Sequence, residues 1–181
     1  MDDPSIGDDS LQDRMIRAAR LDSALYDEVK RDPAALRQAF FVVVLAAVAT
    51  GIGFGQGDLQ LIALGMFFAL LGWAVTAYLS WLIGDRLFPE SEPRSSPARL
   101  LRTIGFANSP AIVRLLAVIP DAMPFVMVVT TVWVLFSTVI AIRQGLGYQS
   151  TSRATGVFLA IQVLMIPLAL LLATPEAVPP D

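Results

Sequence analysis

The sequence predicts an all-α, polytopic integral membrane bundle with five transmembrane segments, preceded by cytosolic amphipathic helices. Hydrophobic residues make up 55% of the 181 residues and charged residues only 16%, whereas soluble domains carry roughly 25% charged residues. The mean hydropathy is +0.64, and the apolar residues are gathered into long uncharged runs. Runs of this kind are typical of helices that cross a lipid bilayer.

The N-terminal region is polar and is predicted to lie outside the bilayer. Residues 1–10 combine acids with Gly, Pro and Ser, a composition that predicts a disordered tail. Residues 11–38 show the spacing of two helices, one beginning near Ser10 and one after Asp22 that ends just before Pro33. We expect these amphipathic helices to lie along the lipid headgroups, with a solvated stalk as the alternative.

Five apolar runs follow, and residues 39–173 are predicted to form the membrane domain. The second, with 23 uncharged residues, extends about 35 Å as an α-helix and exceeds the ~30 Å hydrocarbon core. The third is the weakest, because it is short and contains Arg114 as well as Pro110, which has no amide hydrogen. It either continues from Pro97 as a kinked helix that crosses the bilayer, or enters the bilayer only partway as a re-entrant hairpin with the fourth run. The predicted spans are residues 39–55, 61–83, 106–119, 124–142 and 155–173, and residues 174–181 form a C-terminal tail.

The distribution of Lys and Arg predicts the orientation. Every basic residue except Arg114 lies in the N-terminal region, between the second and third runs, or between the fourth and fifth. Because cytosolic loops are enriched in Lys and Arg, we expect a cytosolic N-terminus, five crossings and a C-terminus outside. A re-entrant hairpin formed by the third and fourth runs would give the same charge distribution.

The absence of two residue types excludes several kinds of site. With no Cys and no His, the chain has no thiolate nucleophile, zinc–thiolate site, iron–sulfur cluster or imidazole base. The acids lie almost wholly outside the apolar runs, which disfavours a membrane-embedded enzyme. A sequence pI near 4.9 and the lack of a basic stripe argue against nucleic acid as a partner. We therefore expect no enzymatic activity, no cofactor and no metal.

Small residues at helical spacing predict where helices pack closely. In lipid, helix association depends on such close approach and on hydrogen bonds. The first run carries a Gly-x-x-x-Gly pattern and the second a longer stripe, so we expect the two faces to pack together or one of them to face a partner. The predicted packing residues are Gly51, Gly55, Gly65, Ala69, Gly72, Thr76 and Ser80.

Arg114 is the sharpest functional signal in the chain. An Arg at the centre of a span costs about 2.5–3.5 kcal/mol on insertion scales, and no Asp or Glu lies within a predicted span to pair with it. We expect Arg114 to snorkel to an interface or to bond to carbonyls freed by Pro110, with a transport site as the functional alternative. The candidate polar site comprises Arg114, Asn108, Pro110 and Gln162, and other expected interhelical hydrogen-bonding residues are Ser109, Thr130, Thr131 and Ser137.

Three stretches carry a family resemblance: LDSALYDEVKRDPAALRQAFFVVVLAAVATGIG, LLRTIGFANSPAIVRLLAVIP and AIRQGLGYQSTSRATGV. Over roughly residues 20 to 173 the chain resembles the Yip family, named for proteins that interact with Ypt/Rab GTPases, in its bacterial branch. Gly105-Phe106 followed by Pro110 is similar to the family's Gly-Tyr element before the third span. The resemblance implies a five-helix protein of the bacterial cytoplasmic (inner) membrane with a cytosolic N-terminus.

The same resemblance limits the partners that we expect. The Asp-Leu-Tyr-Gly-Pro motif of eukaryotic relatives has no match here, and Leu25-Tyr26-Asp27 is at best its remnant, so GTPase binding is not carried over. We expect a non-enzymatic scaffold or accessory subunit that contacts membrane lipids and other membrane proteins or copies of itself, or that organises the membrane. The alternative is a small transporter or channel, acting as a homo-oligomer, motivated by Arg114, Pro110 and Pro167.

Overall fold

The chain is described by a computed structural model over residues 10–55, 58–88 and 95–173, with side chains described as far as Ile166. Within those ranges the regular structure is entirely helical, which confirms the predicted all-α bundle. The predicted tails at residues 1–9 and 174–181 lie outside the described residues. The elements are α1 Leu11–Ala19, α2 Ser23–Val29, α3 Ala35–Gly55, α4 Leu59–Leu87, α5 Pro97–Phe106, a 3-10 helix Ser109–Val118, α6 Met123–Leu146 and α7 Thr151–Ala173.

Helices α1 and α2 pack against the membrane bundle. Each is capped as its sequence predicts, since the Ser10 hydroxyl accepts from the Asp13 amide (3.2 Å) and the Asp22 carboxylate accepts from the Ala24 amide (2.9 Å). Their apolar faces belong to the main core, together with residues of α3, α5, α6 and α7. The apolar surface expected to meet the headgroups is therefore covered by the chain's own helices. The fully buried side chains are Ala18, Leu25, Tyr26 and Val29.

Within the described ranges, three helices are long and apolar enough to cross a membrane. They are α4, α6 and the part of α3 from Ala35 to Phe54, and they contain the first, second and fourth predicted spans. The fifth predicted span falls within α7, whose described apolar part, Thr151–Ile166, is shorter. The count of five crossings stays a prediction.

The third apolar run differs from the kinked α-helix that was one of the two expectations. Helix α5 ends at Phe106, and after Ala107 and Asn108 the chain continues as a 3-10 helix. The break therefore precedes Pro110, which lies in the first turn of the 3-10 helix. Amide hydrogens of a first helical turn have no intrahelical partner, so the missing one of proline costs nothing there.

The 3-10 geometry lets this short segment match the length of α3. Gly105 lies against Ala39 near the beginning of α3, and Gly53 near its end lies against the carbonyl of Arg114. Residues 39 to 53 of α3 extend about 21 Å at ~1.5 Å per residue. Only nine steps separate Gly105 from Arg114, and the part from Ser109 onward gains length because a 3-10 helix rises ~2.0 Å per residue, compared with ~1.5 Å in an α-helix. The third segment thus runs parallel to α3 almost to its end.

Helix α6 returns to the starting side and brings the helix ends together. Leu146, its last residue, packs against Gly84 near the end of α4. Gly147 then adopts a left-handed conformation (φ 76°) and donates its amide to the Gln144 carbonyl (3.2 Å). This turn sets the start of α7, which packs against α6 and α4.

Candidate functional site

A buried arginine joins the two N-terminal helices to the first membrane helix. The Arg14 side chain is only 6% exposed and forms ion pairs with Glu28 of α2 (2.9 Å) and Asp32 (3.0 Å). It also donates to the Gln38 side chain of α3 (2.7 Å). A guanidinium presents several donors in a fixed plane, which suits it to bridging three chain segments. Arg14 therefore fixes α1 relative to both α2 and α3.

A second arginine reinforces the α1–α2 pairing. Arg17 bonds to Asp22 (2.9 Å) and to the other carboxylate oxygen of Glu28 (2.8 Å). The hydrogen bond from Arg17 holds the pKa of the Asp22 carboxyl below its usual value. Glu28 is shared between Arg14 and Arg17, so these side chains form one network.

Three polar contacts attach the N-terminal helices to α6. The indole of Trp133 donates to the Ala19 carbonyl at the end of α1 (2.7 Å), and the Tyr26 hydroxyl bonds to Ser137 (2.6 Å). The Lys30 ammonium donates to the Gln144 carbonyl (3.2 Å). Burial raises the pKa of Tyr26 to about 12, so its hydroxyl stays protonated and available for this bond.

Arg114 lies on the 3-10 helix between α3 and α6 and bonds to three threonine hydroxyls. Its Nε lies 3.2 Å from the Thr130 hydroxyl, and its two terminal nitrogens lie 3.1 Å from that of Thr50 and 3.4 Å from that of Thr131. The carbonyls freed by Pro110 were the expected acceptors, and the described hydrogen bonds go to hydroxyls instead. The site holds a cation between two apolar helices.

Two of these threonines are oriented to receive the guanidinium. Thr50 donates its hydroxyl hydrogen to the Ala46 carbonyl (2.7 Å) and Thr130 donates to the Val126 carbonyl (2.7 Å), each four residues earlier in its own helix. The hydroxyl lone pairs are then free to accept from Arg114. This arrangement supplies hydrogen bonds without a counter-ion.

The other members of the candidate polar site do not join Arg114. Asn108 donates to the Ile104 carbonyl (2.9 Å) and Ser109 to the Phe106 carbonyl (2.7 Å), so both close the junction between α5 and the 3-10 helix. Pro110 is buried in the first turn of the 3-10 helix. Gln162 lies on α7, whereas the described partners of Arg114 lie on α3 and α6. Among the described residues no cluster of three or more acidic side chains with metal-binding geometry occurs.

The predicted small-residue stripes approach each other at one end, where Gly51 of α3 and Gly65 of α4 line the same cavity. Gly51 of α3 lies against Ile62 of α4, while a Cβ at Gly65 or Gly72 would meet no atom within 4 Å. Ser80, at the other end of the stripe, is fully buried. Of the remaining members, Ala69 and Thr76 are half-buried, and Gly55 is the last residue of α3.

Apart from Gly51, the glycines at close helix contacts were not among those predicted. A Cβ would lie 2.6 Å from the Ala39 Cβ at position 105 and 2.5 Å from the Leu100 side chain at position 145. Gly53 and Gly84 are similarly confined. Gly53 follows Gly51 by two residues and lies on another face of α3, and its spacing of four residues from Ala49 is the signal that could have identified it. Gly105 was noted only as part of a family element.

Comparison with known families decides what kind of protein this is. The family model described as the Yip1 domain matches residues 23–173. The chain belongs to the Yip1 family. This confirms the resemblance read from the sequence and makes the chain a Yip1 membrane protein. Searches of curated proteins and of solved structures each found no match.

The limits of the Yip1 match coincide with structural limits. It begins at Ser23, the first residue of α2, and ends at Ala173, the last residue of α7. Helix α1 precedes the matched range and is attached to the Yip1 domain by the Arg14 network and by the Trp133 bond to Ala19. The Gly-Phe element of the Yip1 resemblance is a packing element, since Gly105 contacts Ala39 and Phe106 is fully buried.

Proposed function

We propose that this Yip1 chain is a non-enzymatic scaffold or accessory subunit that associates with another copy or with other membrane proteins through α4. The observation that carries the proposal is the exposure of α4. Only 6% of its most apolar stretch is buried, compared with 39% in α3 and 33% in α6. The chain leaves one whole membrane helix largely uncovered by its own helices.

The exposed surface of α4 is suited to helix association. Gly65, Ala69, Gly72 and Thr76 recur at helical spacing, and the positions of Gly65 and Gly72 are open. In lipid, small residues on one face let two backbones approach closely, and van der Waals packing then stabilises the pair. Large apolar side chains flank this stripe, including the exposed Phe68. These features support α4 as the association face.

Single-cysteine crosslinking tests this proposal cleanly, because the chain has no cysteine. Gly72→Cys places a thiol on the stripe, and the open space there accepts its Cβ. Val163→Cys on α7, 71% exposed, is the matched control. We expect Gly72→Cys to give an oxidised homodimer or a crosslink to a specific membrane protein in native membranes. Equal crosslinking at both positions, or none at Gly72→Cys with several reagents, contradicts the proposal.

We also propose that the chain is integral to the bacterial cytoplasmic membrane, with a cytosolic N-terminus and five crossings. The location of Lys and Arg supports the orientation, and the extension of the 3-10 helix to the level of Gly53 supports a full third crossing. A membrane-impermeant maleimide should label Met123→Cys and not Thr151→Cys in intact spheroplasts. Labelling of neither position indicates a re-entrant hairpin, and labelling of Thr151→Cys alone reverses the orientation.

A transporter or channel is the second candidate, and Arg114 is the observation that favours it. A cation between membrane helices with hydroxyl partners only is suited to attracting an anion. Wild-type protein in vesicles should then show anion flux that Thr50→Val and Thr130→Val alter. Vesicles without flux under an imposed gradient remove this candidate.

A further inference from the structure

A cleft of about 220 Å³ opens where α2, α5 and α6 meet at the basic end of the bundle. Lys30 and Arg31, directly after α2, form one wall and Arg99 of α5 forms another. The last turn of α6 and Gly147 complete it. Three cationic side chains therefore line one small cavity.

Two of the three lining cations have no acidic partner among the described residues. Arg31 and Arg99 form no ion pair or hydrogen bond through their side chains with the residues that the structure describes. Lys30 pairs with Asp27. Of the other described acids nearby, Glu28 and Asp32 are engaged by the arginines of α1, and Asp85 accepts from the Ser95 amide (2.9 Å).

A fourth cation lies beside the cleft, and one of its hydrogen-bond donors has no described partner. Arg102 is 9% exposed and donates to the carbonyl of Lys30 (2.6 Å), while its Nε finds no hydrogen-bond partner among the described residues. Burial lowers the pKa of Arg102; the charge of Asp32 opposes that shift and the charge of Arg99 adds to it. Like charges three residues apart on a helix repel each other. A bound anion relieves this repulsion.

The C-terminal end of α6, which lines the cleft, does not cancel the positive charge of the lining Lys and Arg side chains. The C-terminal end of a helix carries partial negative charge on its free carbonyls. Here those carbonyls are already used, since that of Gln144 accepts from Lys30 and Gly147 and that of Gly145 accepts from Ser95 (2.8 Å). The cleft therefore presents unpaired donors and few free acceptors.

The cleft lies at the level where a lipid headgroup would reach it. Leu146, one of its lining residues, packs against Gly84 of α4. Trp81, one helical turn earlier, carries the Arg86 guanidinium over its ring at 5.7 Å, and such amphipathic aromatic residues favour the membrane–water interface. We propose that the cleft binds a phosphate group, supplied by the headgroup of an anionic phospholipid of the cytosolic leaflet.

Lipid titration of the full chain in mild detergent tests this inference. The midpoint of thermal unfolding is followed by tryptophan fluorescence during addition of phosphatidylglycerol, phosphatidylcholine or, in a separate arm, inorganic phosphate. The variants are Arg99→Gln and Arg99→Lys, with Arg86→Gln as the control cation at the same level but outside the cleft. The Arg99 side chain makes no bond with the described residues, so replacing it breaks no described contact of the fold.

We expect phosphatidylglycerol to raise the unfolding midpoint of the wild type and phosphatidylcholine to leave it unchanged. The half-saturating concentration should rise about tenfold in Arg99→Gln, as expected for loss of one charge-assisted hydrogen bond, and recover in Arg99→Lys. Arg86→Gln should behave as wild type. An equal loss in Arg86→Gln, the same stabilisation by inorganic phosphate alone, or no response to phosphatidylglycerol each overturns the inference. The crosslinking result at Gly72 is independent of it.

Discussion

Adding one methyl group at Gly105 tests the packing of α5 on α3. A Cβ at this position would lie 2.6 Å from the Ala39 Cβ and 3.1 Å from its Cα, whereas carbon atoms pack at about 3.5–4.0 Å. The shortfall is about 1 Å. Because the opposing atoms are a Cβ and backbone, no rotamer change relieves the overlap, and the two helices must separate.

Two contributions of opposite sign set the change in the free energy of unfolding caused by Gly105→Ala. Overpacking of this kind costs about 1–3 kcal/mol, and a rigid backbone neighbour places Gly105→Ala near the upper end. Replacing a helical glycine by alanine contributes about 1 kcal/mol of stability. The net loss is therefore about 2 kcal/mol, which lowers the unfolding midpoint by roughly 4–8 °C in a domain of this size.

The assay is thermal unfolding of detergent-purified protein followed by tryptophan fluorescence. Gly72→Ala is the matched control, since its Cβ meets no atom within 4 Å. It gains helix propensity without overlap, so its midpoint should equal or exceed that of the wild type. If Gly105→Ala proves as stable as Gly72→Ala, the close contact between α5 and α3 is wrong.

Three further predictions concern the polar contacts. Arg14→Met should lower the free energy of unfolding by about 2 kcal/mol, because Asp32 loses its described charged partner while Glu28 keeps Arg17. Chemical denaturation measures this loss. An unchanged free energy of unfolding contradicts the network. Burial raises the pKa of Tyr26 from 10.0 to about 12. The contribution of the neutral Tyr26 to the free energy of unfolding should therefore be fully present below about pH 10, and that free energy should fall by up to about 3 kcal/mol toward pH 12. Tyr26→Phe should remove that pH-dependent loss in thermal scans, and an unaltered alkaline loss refutes the assignment. Thr130→Val keeps side-chain volume but removes an acceptor of Arg114, and should cost about 1 kcal/mol in the same scans.

The membrane helices were predictable because their signal is local. The uncharged run 61–83 became α4 and the run 124–142 became α6 with only small extensions, since twenty apolar residues in succession have few alternatives to a spanning helix. The family resemblance was likewise carried by contiguous stretches. The caps at Ser10 and Asp22 followed from side chains adjacent to the amides that they bind.

The contacts between distant segments were less predictable. The small-residue stripe of the second run suggested a packed face, yet its glycines at 65 and 72 are open and Gly51 meets Ile62 instead. Spacing identifies residues that share a helix face, but it does not determine which neighbour covers that face. For the same reason, the pattern of the N-terminal helices predicted amphipathic faces but did not predict that those faces pack against the bundle.

The sequence by itself determined the class of this protein: a helical membrane protein without thiol or imidazole chemistry, with an uncompensated arginine in its third apolar run. Arg114 and the threonines were all visible in it. Only the tertiary structure decided that Thr50 and Thr130, eighty residues apart, meet the same guanidinium. It also decided that ten residues, Ser109–Val118, form a 3-10 helix where the sequence predicted a kinked α-helix or a re-entrant segment. Local composition selects helices, whereas the partners of each polar group depend on how those helices pack.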